Sequence, residues 1–362
     1  MTSLRVRRAL MRITDDHVEH YLRHGFVVVP EFLTPDELAA ARSASFRYFP
    51  PAKELAATPE RYPHIADDPE HLQVEFPFAA DALNDVSTHP ELIAFVERLL
   101  GTRDVLLSQA AVWAKYAGTG DFEQQMHLDY QGNTLVVPRD DGPFRQVNMI
   151  VYYTDVTAEA GPTFVVSKEH TRHLPVWPPF RPRKKHPELY KRETPALTNA
   201  GGLLIFGMGT FHRASNMTAD FGARFSHHLV WRAAAYPFQG YHQWSQMGER
   251  PELERFIERT TPRQREVLGF PPPGHPYWNA ETLAGVALRY PKMDLAAYRQ
   301  RASEPPASPL QTKRRPPSRT KEGDAGSLEK PIVQRRPPVN LPGLDDLRGK
   351  QRTADGGRKR GG

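Results

Sequence analysis

Cysteine is absent from all 362 residues, which removes disulfides and thiolate metal sites together. Any transition metal bound here has to rely on histidine and carboxylate. No stretch approaches the run of about 18 apolar residues that reads as a membrane span. The N-terminus is basic from Met1 to Leu10 but leads straight into Asp15-Asp16-His17, with no apolar segment between. No signal peptide is expected, and the cytoplasm is the expected compartment. A further absence is local: residues 301–362 contain no aromatic side chain and nine Pro. Such a composition offers too little burial to offset the entropy of ordering, so 301–362 reads as a disordered, basic, Pro-rich tail.

That tail distorts the overall charge. It holds 15 Lys+Arg against 7 Asp+Glu, so the chain's net +6 becomes −2 for residues 1–300. Basic blocks such as Lys313-Arg314-Arg315 and Arg358-Lys359-Arg360 have no interleaved aromatics, which argues for a solvated extension over a nucleic-acid arm. The remaining 300 residues carry nearly all of the 39% hydrophobic content, enough for one sizeable core, and read as a single domain.

Along the chain, Asp15 to His24 predicts a short helix ended by Gly25, and Phe26-Val27-Val28-Val29 before Pro30 predicts a strand. Thr34-Pro35-Asp36-Glu37 is a capping box with Pro at the first helical position, opening a helix to about Phe46. Residues 50–80, Pro-rich, read as irregular loop. Pro90 opens a helix whose Leu92, Ile93, Val96, Leu99 and Leu100 share one face, closed by Gly101. Short apolar or alternating runs follow at Val105–Ala117, Arg145–Asp155, Thr163–Ser167, Leu203–Phe206 and Arg224–Arg232. A Pro-rich insertion at 171–200 interrupts them, long enough for a lid or outer wall. Helices return at Pro251–Thr260, Pro262–Leu268 and Ala280–Arg289. The pattern predicts a mainly β fold with flanking helices, a sandwich or barrel spanning about 104–235.

The chemistry concentrates in Gln124-Gln125-Met126-His127-Leu128-Asp129-Tyr130. In extended chain, His127 and Asp129 leave the same face and can close on one divalent ion. Two His and one carboxylate with open positions suit non-haem Fe(II). The candidate third ligand is His212, just after the apolar run Leu203–Phe206, with His227 and His228 as rivals on the next strand. Arg224 shares a face with Ser226 and His228, where it can take the far carboxylate of a dicarboxylate cosubstrate in a bidentate pair. Arg213, beside His212, points to the opposite face. Other His-x-Glu matches (His17-Val18-Glu19, His89-Pro90-Glu91, His186-Pro187-Glu188) fall at helix starts or in the insertion and are set aside.

The combination of Phe26–Val29, Leu33–Leu38, His127-x-Asp129, the segment Gly161 to His170, and His212 followed by Arg224 resembles the phytanoyl-CoA dioxygenase family over roughly residues 13–235. The resemblance implies a double-stranded β-helix (jelly-roll, cupin-like) core, mononuclear Fe(II), 2-oxoglutarate as cosubstrate, and O2-dependent oxidation of a small organic molecule, usually hydroxylation. It also implies the metal triad His127, Asp129 and His212, with Arg224 on the outer carboxylate of 2-oxoglutarate. Gln109 and Lys115 match positions that face the cosubstrate or substrate. In related halogenases a small residue replaces the carboxylate ligand, so Asp129 points to hydroxylation. The segment Ser167-Lys168-Glu169-His170 departs from the family's Pro-Gly-Ser-His and is expected to be a turn without ligands. Two other classes remain open, a non-oxygenase metal enzyme and a non-catalytic binding module on a cupin-like barrel. The first has no use for a carboxylate clamp at Arg224, and the second predicts loss of a triad member.

Overall fold

The computed structural model describes residues 12–67, 72–118, 123–129, 145–176, 178–235, 244 and 250–302. The tail expected to be disordered falls, beyond residue 302, outside the described residues. Helix α1 (Asp15–His24) is closed by Gly25 at φ +80° and leads directly into β1 (Phe26–Val29). The Thr34–Glu37 capping box opens α2 (Pro35–Ser45). Residues 50–80 are more regular than their Pro content suggests. They form α3 (Ala52–Ala57), α4 (Pro63–Asp67) and a short strand, β2 (Gln73–Glu75). β2 exists because an edge of the main sheet lies within reach, a condition that local propensity does not encode.

Helices α5 (Asp81–Ser87) and α6 (Pro90–Leu100) precede the long strand β3 (Val105–Tyr116). Then come β4 (Gln146–Tyr152), β5 (Thr163–Val166), α7 (Pro187–Tyr190) and β6 (Glu193–Pro195). The barrel ends with β7 (Leu203–Gly207), β8 (His212–Ala214) and β9 (Ala223–Ala233). Helices α8 (Pro251–Arg259), α9 (Pro262–Glu266), α10 (Ala280–Arg289) and α11 (Ala296–Ala302) complete the described chain. None of the described helices is long and apolar enough to cross a membrane.

The strands make two antiparallel sheets. The major sheet has the order β1-β7-β4-β9-β3-β2 and the minor one β6-β5-β8. Bridges from His127 to His212 and from Met126 to Arg181 extend the minor sheet beyond β8. The 171–200 insertion is thus an outer wall: Arg181 N–H donates to the Met126 carbonyl at 2.8 Å, and the Tyr190 hydroxyl accepts from Met126 N–H and donates to the Arg181 carbonyl.

Strand period two sorts the major sheet. Val147, Met149, Val151, Leu229 and Trp231 face outward into the main core, which also takes Leu92, Ile93, Phe95 and Val96 of α6. Each such fully buried side chain contributes about 1.5–3 kcal/mol. Ile150, Tyr152, Leu204 and Phe206 face inward and meet Val165 of the minor sheet. Two facing antiparallel sheets with helices outside one of them are the jelly roll that the family resemblance implied.

Gly25 ties this frame to its interior. Its carbonyl accepts from Gly207 N–H at 2.9 Å and from the Thr210 hydroxyl at 2.7 Å. A Cβ built there would lie 2.7 Å from Thr210 Oγ1 and from two Lys168 carbons. Left-handed backbone alone costs an L-residue about 1–2 kcal/mol. Gly25→Ala is therefore expected to lose about 2 kcal/mol or more, read as a lower denaturation midpoint with an unchanged slope.

Candidate active site

His127 and His212 sit directly opposite one another. The N–H of His127 donates to the His212 carbonyl at 2.9 Å, and the N–H of His212 donates back at 3.0 Å. Residues so paired in an antiparallel ladder send their side chains to the same face, and the two imidazole centroids are 4.4 Å apart. Asp129, two residues beyond His127, shares that face. Its carboxylate oxygens lie 3.3 Å from His127 Nε2 and 3.3 Å from His212 Nε2. Among the described residues, these three form the one His/Asp/Glu group whose ligand atoms fall within 4.8 Å of each other.

The proton positions follow from the second hydrogen bond of each ring. His127 Nδ1 is 2.8 Å from the Gln125 carbonyl, and His212 Nδ1 is 3.0 Å from the Thr210 carbonyl. A carbonyl only accepts, so both Nδ1 atoms carry hydrogen and each ring turns its Nε2 to Asp129. A neutral Nε2 facing a carboxylate oxygen at 3.3 Å is repelled, so a proton or a metal cation has to lie between them. Burial acts to lower the His212 pKa and to raise that of Asp129. Their mutual attraction prevails in both, so His212 is raised and Asp129 falls below the usual carboxylate range. A divalent ion serves the same electrostatic need. Ligands about 2.1 Å from one ion at right angles lie about 3 Å apart, close to the spacing seen, so the donor set fits a mononuclear Fe(II).

The supports come from several elements. Asn148 of β4 donates from Nδ2 to Asp129 Oδ2 at 3.2 Å. Phe206 of β7 packs on His212 with ring centroids 4.5 Å apart. Phe180 of the insertion stacks on His127 at 5.8 Å. Sequence reasoning missed all three. Asn148 carried a usable signal as a polar residue at an inward position of a largely apolar strand.

On β9, Arg224 stands directly across from Lys115 of β3. Arg224 is only 8% exposed, donates from Nη1 to the Gly161 carbonyl, and leaves its Nε buried without a hydrogen-bond partner. Burial, with Tyr152 opposing it, holds the Arg224 pKa below the usual value. Lys115 donates to the Ser215 carbonyl at 2.7 Å. Burial, then the Arg224 charge, pushes its pKa down to about 7. Trp113 of the same inward face has a buried Nε1 without a partner. Two buried cations side by side favour a neighbouring anion.

Gln109 lies apart from that pair. It is six residues from Lys115, about 20 Å along an extended strand, and shares its cross-strand row with Val230 and Asn148. Gln109 and Lys115 therefore cannot hold the same carboxylate. Arg213 does point away: Glu193 takes it in a fork at 2.7 and 2.8 Å, and Glu123 at 2.9 Å. His228 faces inward, 3.1 Å from the Ser226 hydroxyl, and is pushed down to about 3 by burial and by Arg224. His227 faces outward between Tyr153 and Ser87. His17 belongs to a capping box, and His89 and His186 are the residues before α6 and α7. Ser167 to His170 forms a single 3-10 turn.

Alanine at His127, Asp129 or His212 is expected to abolish retention of Fe(II), whereas His228→Ala retains it, as read by metal analysis after dialysis. Asn148→Ala should weaken metal affinity about tenfold without abolishing it, the usual scale for a group that orients a ligand.

A family model for phytanoyl-CoA dioxygenase (PhyH) matches residues 21–225. No curated protein matches the chain in a sequence search. Among solved structures, the epimerase SnoN in complex with Fe3+, alpha ketoglutarate and nogalamycin RO is 18% identical with a TM-score of 0.45, over 66% of this chain and 90% of that one. The carbocyclase SnoK from nogalamycin biosynthesis is 18% identical with a TM-score of 0.46, over 65% and 89%. HygX from Streptomyces hygroscopicus, with nickel and 2-oxoglutarate bound, is 16% identical with a TM-score of 0.44, over 61% and 87%. Likenesses this distant transfer no chemistry. The family model, by contrast, spans more than half of the sequence, and the chain belongs to the phytanoyl-CoA dioxygenase family.

Proposed function

We propose that the protein is a non-haem Fe(II)- and 2-oxoglutarate-dependent dioxygenase that hydroxylates a small organic molecule. The observation that carries this reading is the facing pair Lys115–Arg224 on the inner face of the major sheet, the face that the ligand triad of the minor sheet meets through Asn148 and Phe206. A hydrolase or isomerase built on the triad alone has no use for two buried cations there. A binding module that had lost catalysis has no reason to keep all three ligands in register. Retention of Asp129 leaves the ligand set complete and supports hydroxylation.

In this reading His127, Asp129 and His212 hold Fe(II), while Arg224 and Lys115 hold the outer carboxylate of 2-oxoglutarate. Bound together, iron and cosubstrate supply O2 activation coupled to oxidative decarboxylation. The balance is one substrate C–H, 2-oxoglutarate and O2 giving one C–OH, succinate and CO2. The chain's part is positional. The Gln125 and Thr210 carbonyls fix the ring orientations. Phe206 and Phe180 cover the imidazole faces. His228, held neutral, adds no charge between the metal site and the cation pair. The test is O2-dependent formation of succinate by the iron-loaded protein, with one labelled oxygen from O2 entering the product. Succinate formation without dependence on O2, or none in the presence of substrate extracts, would sink the proposal.

A charge-assisted fork in a partly dry site contributes about 1.5–3 kcal/mol. Arg224→Ala is thus expected to raise the dissociation constant of 2-oxoglutarate by roughly 10- to 100-fold while metal binding persists. Lys at position 224 should recover only part of the loss. The measurement is anaerobic titration of the iron-loaded protein.

Lys115 supplies a pH signature. A base held at about 7 is mostly neutral at pH 8.5, and an arriving carboxylate favours its charged form. Binding of 2-oxoglutarate at pH 8.5 should take up a proton, and at pH 6, where Lys115 is already charged, it should not. Calorimetry in buffers of different ionisation enthalpy reads the difference, which Lys115→Met should erase.

A further inference from the structure

The inward face of β4 changes character along its length. Tyr152 and Ile150 pack into the apolar interior between the sheets, and then come Asn148 and Gln146, both polar and only 3% and 2% exposed. Asn148 Nδ2 is committed to Asp129, which fixes the amide's orientation, because Oδ1 turned to that carboxylate would be repelled. Its Oδ1 is buried and accepts no hydrogen bond, and Gln146 Nε2 is likewise buried with no partner. Gln146 lies two residues from Asn148 on the same face, about 7 Å along the strand. Gln109 adds a third amide in the row of Asn148, two strands away through Val230. Buried polar groups without partners are costly and are found where something else is meant to meet them. None of these amides is used by the metal triad beyond the single Asn148 bond, and none reaches the Lys115–Arg224 site.

We propose that Asn148 and Gln146 read the substrate, and that the substrate is a small polyhydroxylated or amino-hydroxylated molecule, not an alkyl or acyl chain. Asn148 Oδ1 requires a donor, a hydroxyl or amine, next to the metal. Gln146 Nε2 requires an acceptor about 7 Å further along the strand. A molecule with polar groups at both places satisfies the orphans, whereas an alkyl chain laid there would seal them off without partners. A site built to hydrogen-bond its substrate rejects an analogue lacking those groups far more strongly than an apolar pocket rejects an added hydroxyl. The inference rests on the oxygenase reading for the position of the reacting carbon, and it names the wall that faces that carbon.

The experiment uses full-length protein loaded with Fe(II) and 2-oxoglutarate. Polar probes (myo-inositol, glucosamine) and alkyl probes (1-octanol, hexanoate) are compared at up to about 10 mM, above the ordinary range of KM. Anaerobic thermal midpoint reports binding, and succinate formation in air reports engagement with the reaction. A polar probe should raise both, and Gln146→Leu should weaken its binding at least tenfold while leaving 2-oxoglutarate affinity unchanged. Without probe, Gln146→Leu should hold or raise the thermal midpoint, since it removes a buried orphan. A fall would mark Gln146 as structural and overturn the proposal. Response to alkyl probes alone, response to no probe, or a polar response indifferent to Gln146→Leu would also overturn it, the last meaning that the wall is merely water-filled. Failure of wild-type protein to bind 2-oxoglutarate is a separate result: it would remove the oxygenase reading, while the probe-induced thermal shifts would still judge the amide wall.

Discussion

Everything at the centre of this molecule depends on two reciprocal backbone hydrogen bonds between His127 and His212. They join segments 85 residues apart in the sequence and set the two imidazoles side by side on one face. Because side chains alternate along a strand, a slip of one residue on either side would send one ring to the opposite face. The surroundings resist that slip. Arg213, the next residue after His212, projects to the other side, where Glu193 grips it with both side chains largely buried. Met126, before His127, is pinned by Arg181 and Tyr190 of the insertion. Breaking a buried ion pair costs about 3–5 kcal/mol, so the register that places the ligands is also the one in which these outward groups are satisfied.

The second organising feature is charge separation between the two facing sheets. The triad carries the negative charge of Asp129, and the pair Lys115–Arg224 carries the positive charge. His228 between them is held neutral by burial and by Arg224. Burying two cations side by side is unfavourable. Burial first, and the Arg224 charge second, depress the Lys115 pKa, and an anion beside the pair would offset both.

The major sheet divides its labour between its two faces. Its outer face spends hydrophobic side chains on α6 and the C-terminal helices and holds the domain together. Its inner face is apolar only where it meets the minor sheet. Toward the metal it turns to amides and cations whose buried atoms are not all satisfied by the protein. Such a wall costs stability, and the packed outer face supplies the reserve that tolerates it.

The sequence by itself determined the elements whose causes are local. The α1 helix and its Gly25 stop, the β1 run, the Thr34–Glu37 box and α10 behind Asn279 follow from capping chemistry and periodicity within a few residues. The shared face of His127 and Asp129 is equally local, since period two in extended chain needs no partner strand. What tertiary structure decided was everything that depends on register between distant segments. It joined His212 to the triad and left His228 beside Ser226, although both are histidines on strands consecutive in the sequence. It set Lys115 across from Arg224 and moved Gln109 into the row of Asn148. It brought in Asn148, and it made strands of Gln73–Glu75 and Glu193–Pro195 because edges were there to receive them. A single strand's pattern states which way a side chain turns. Which side chain it meets is fixed only when hydrogen bonds align one strand with another, and that alignment is a property of the whole sheet.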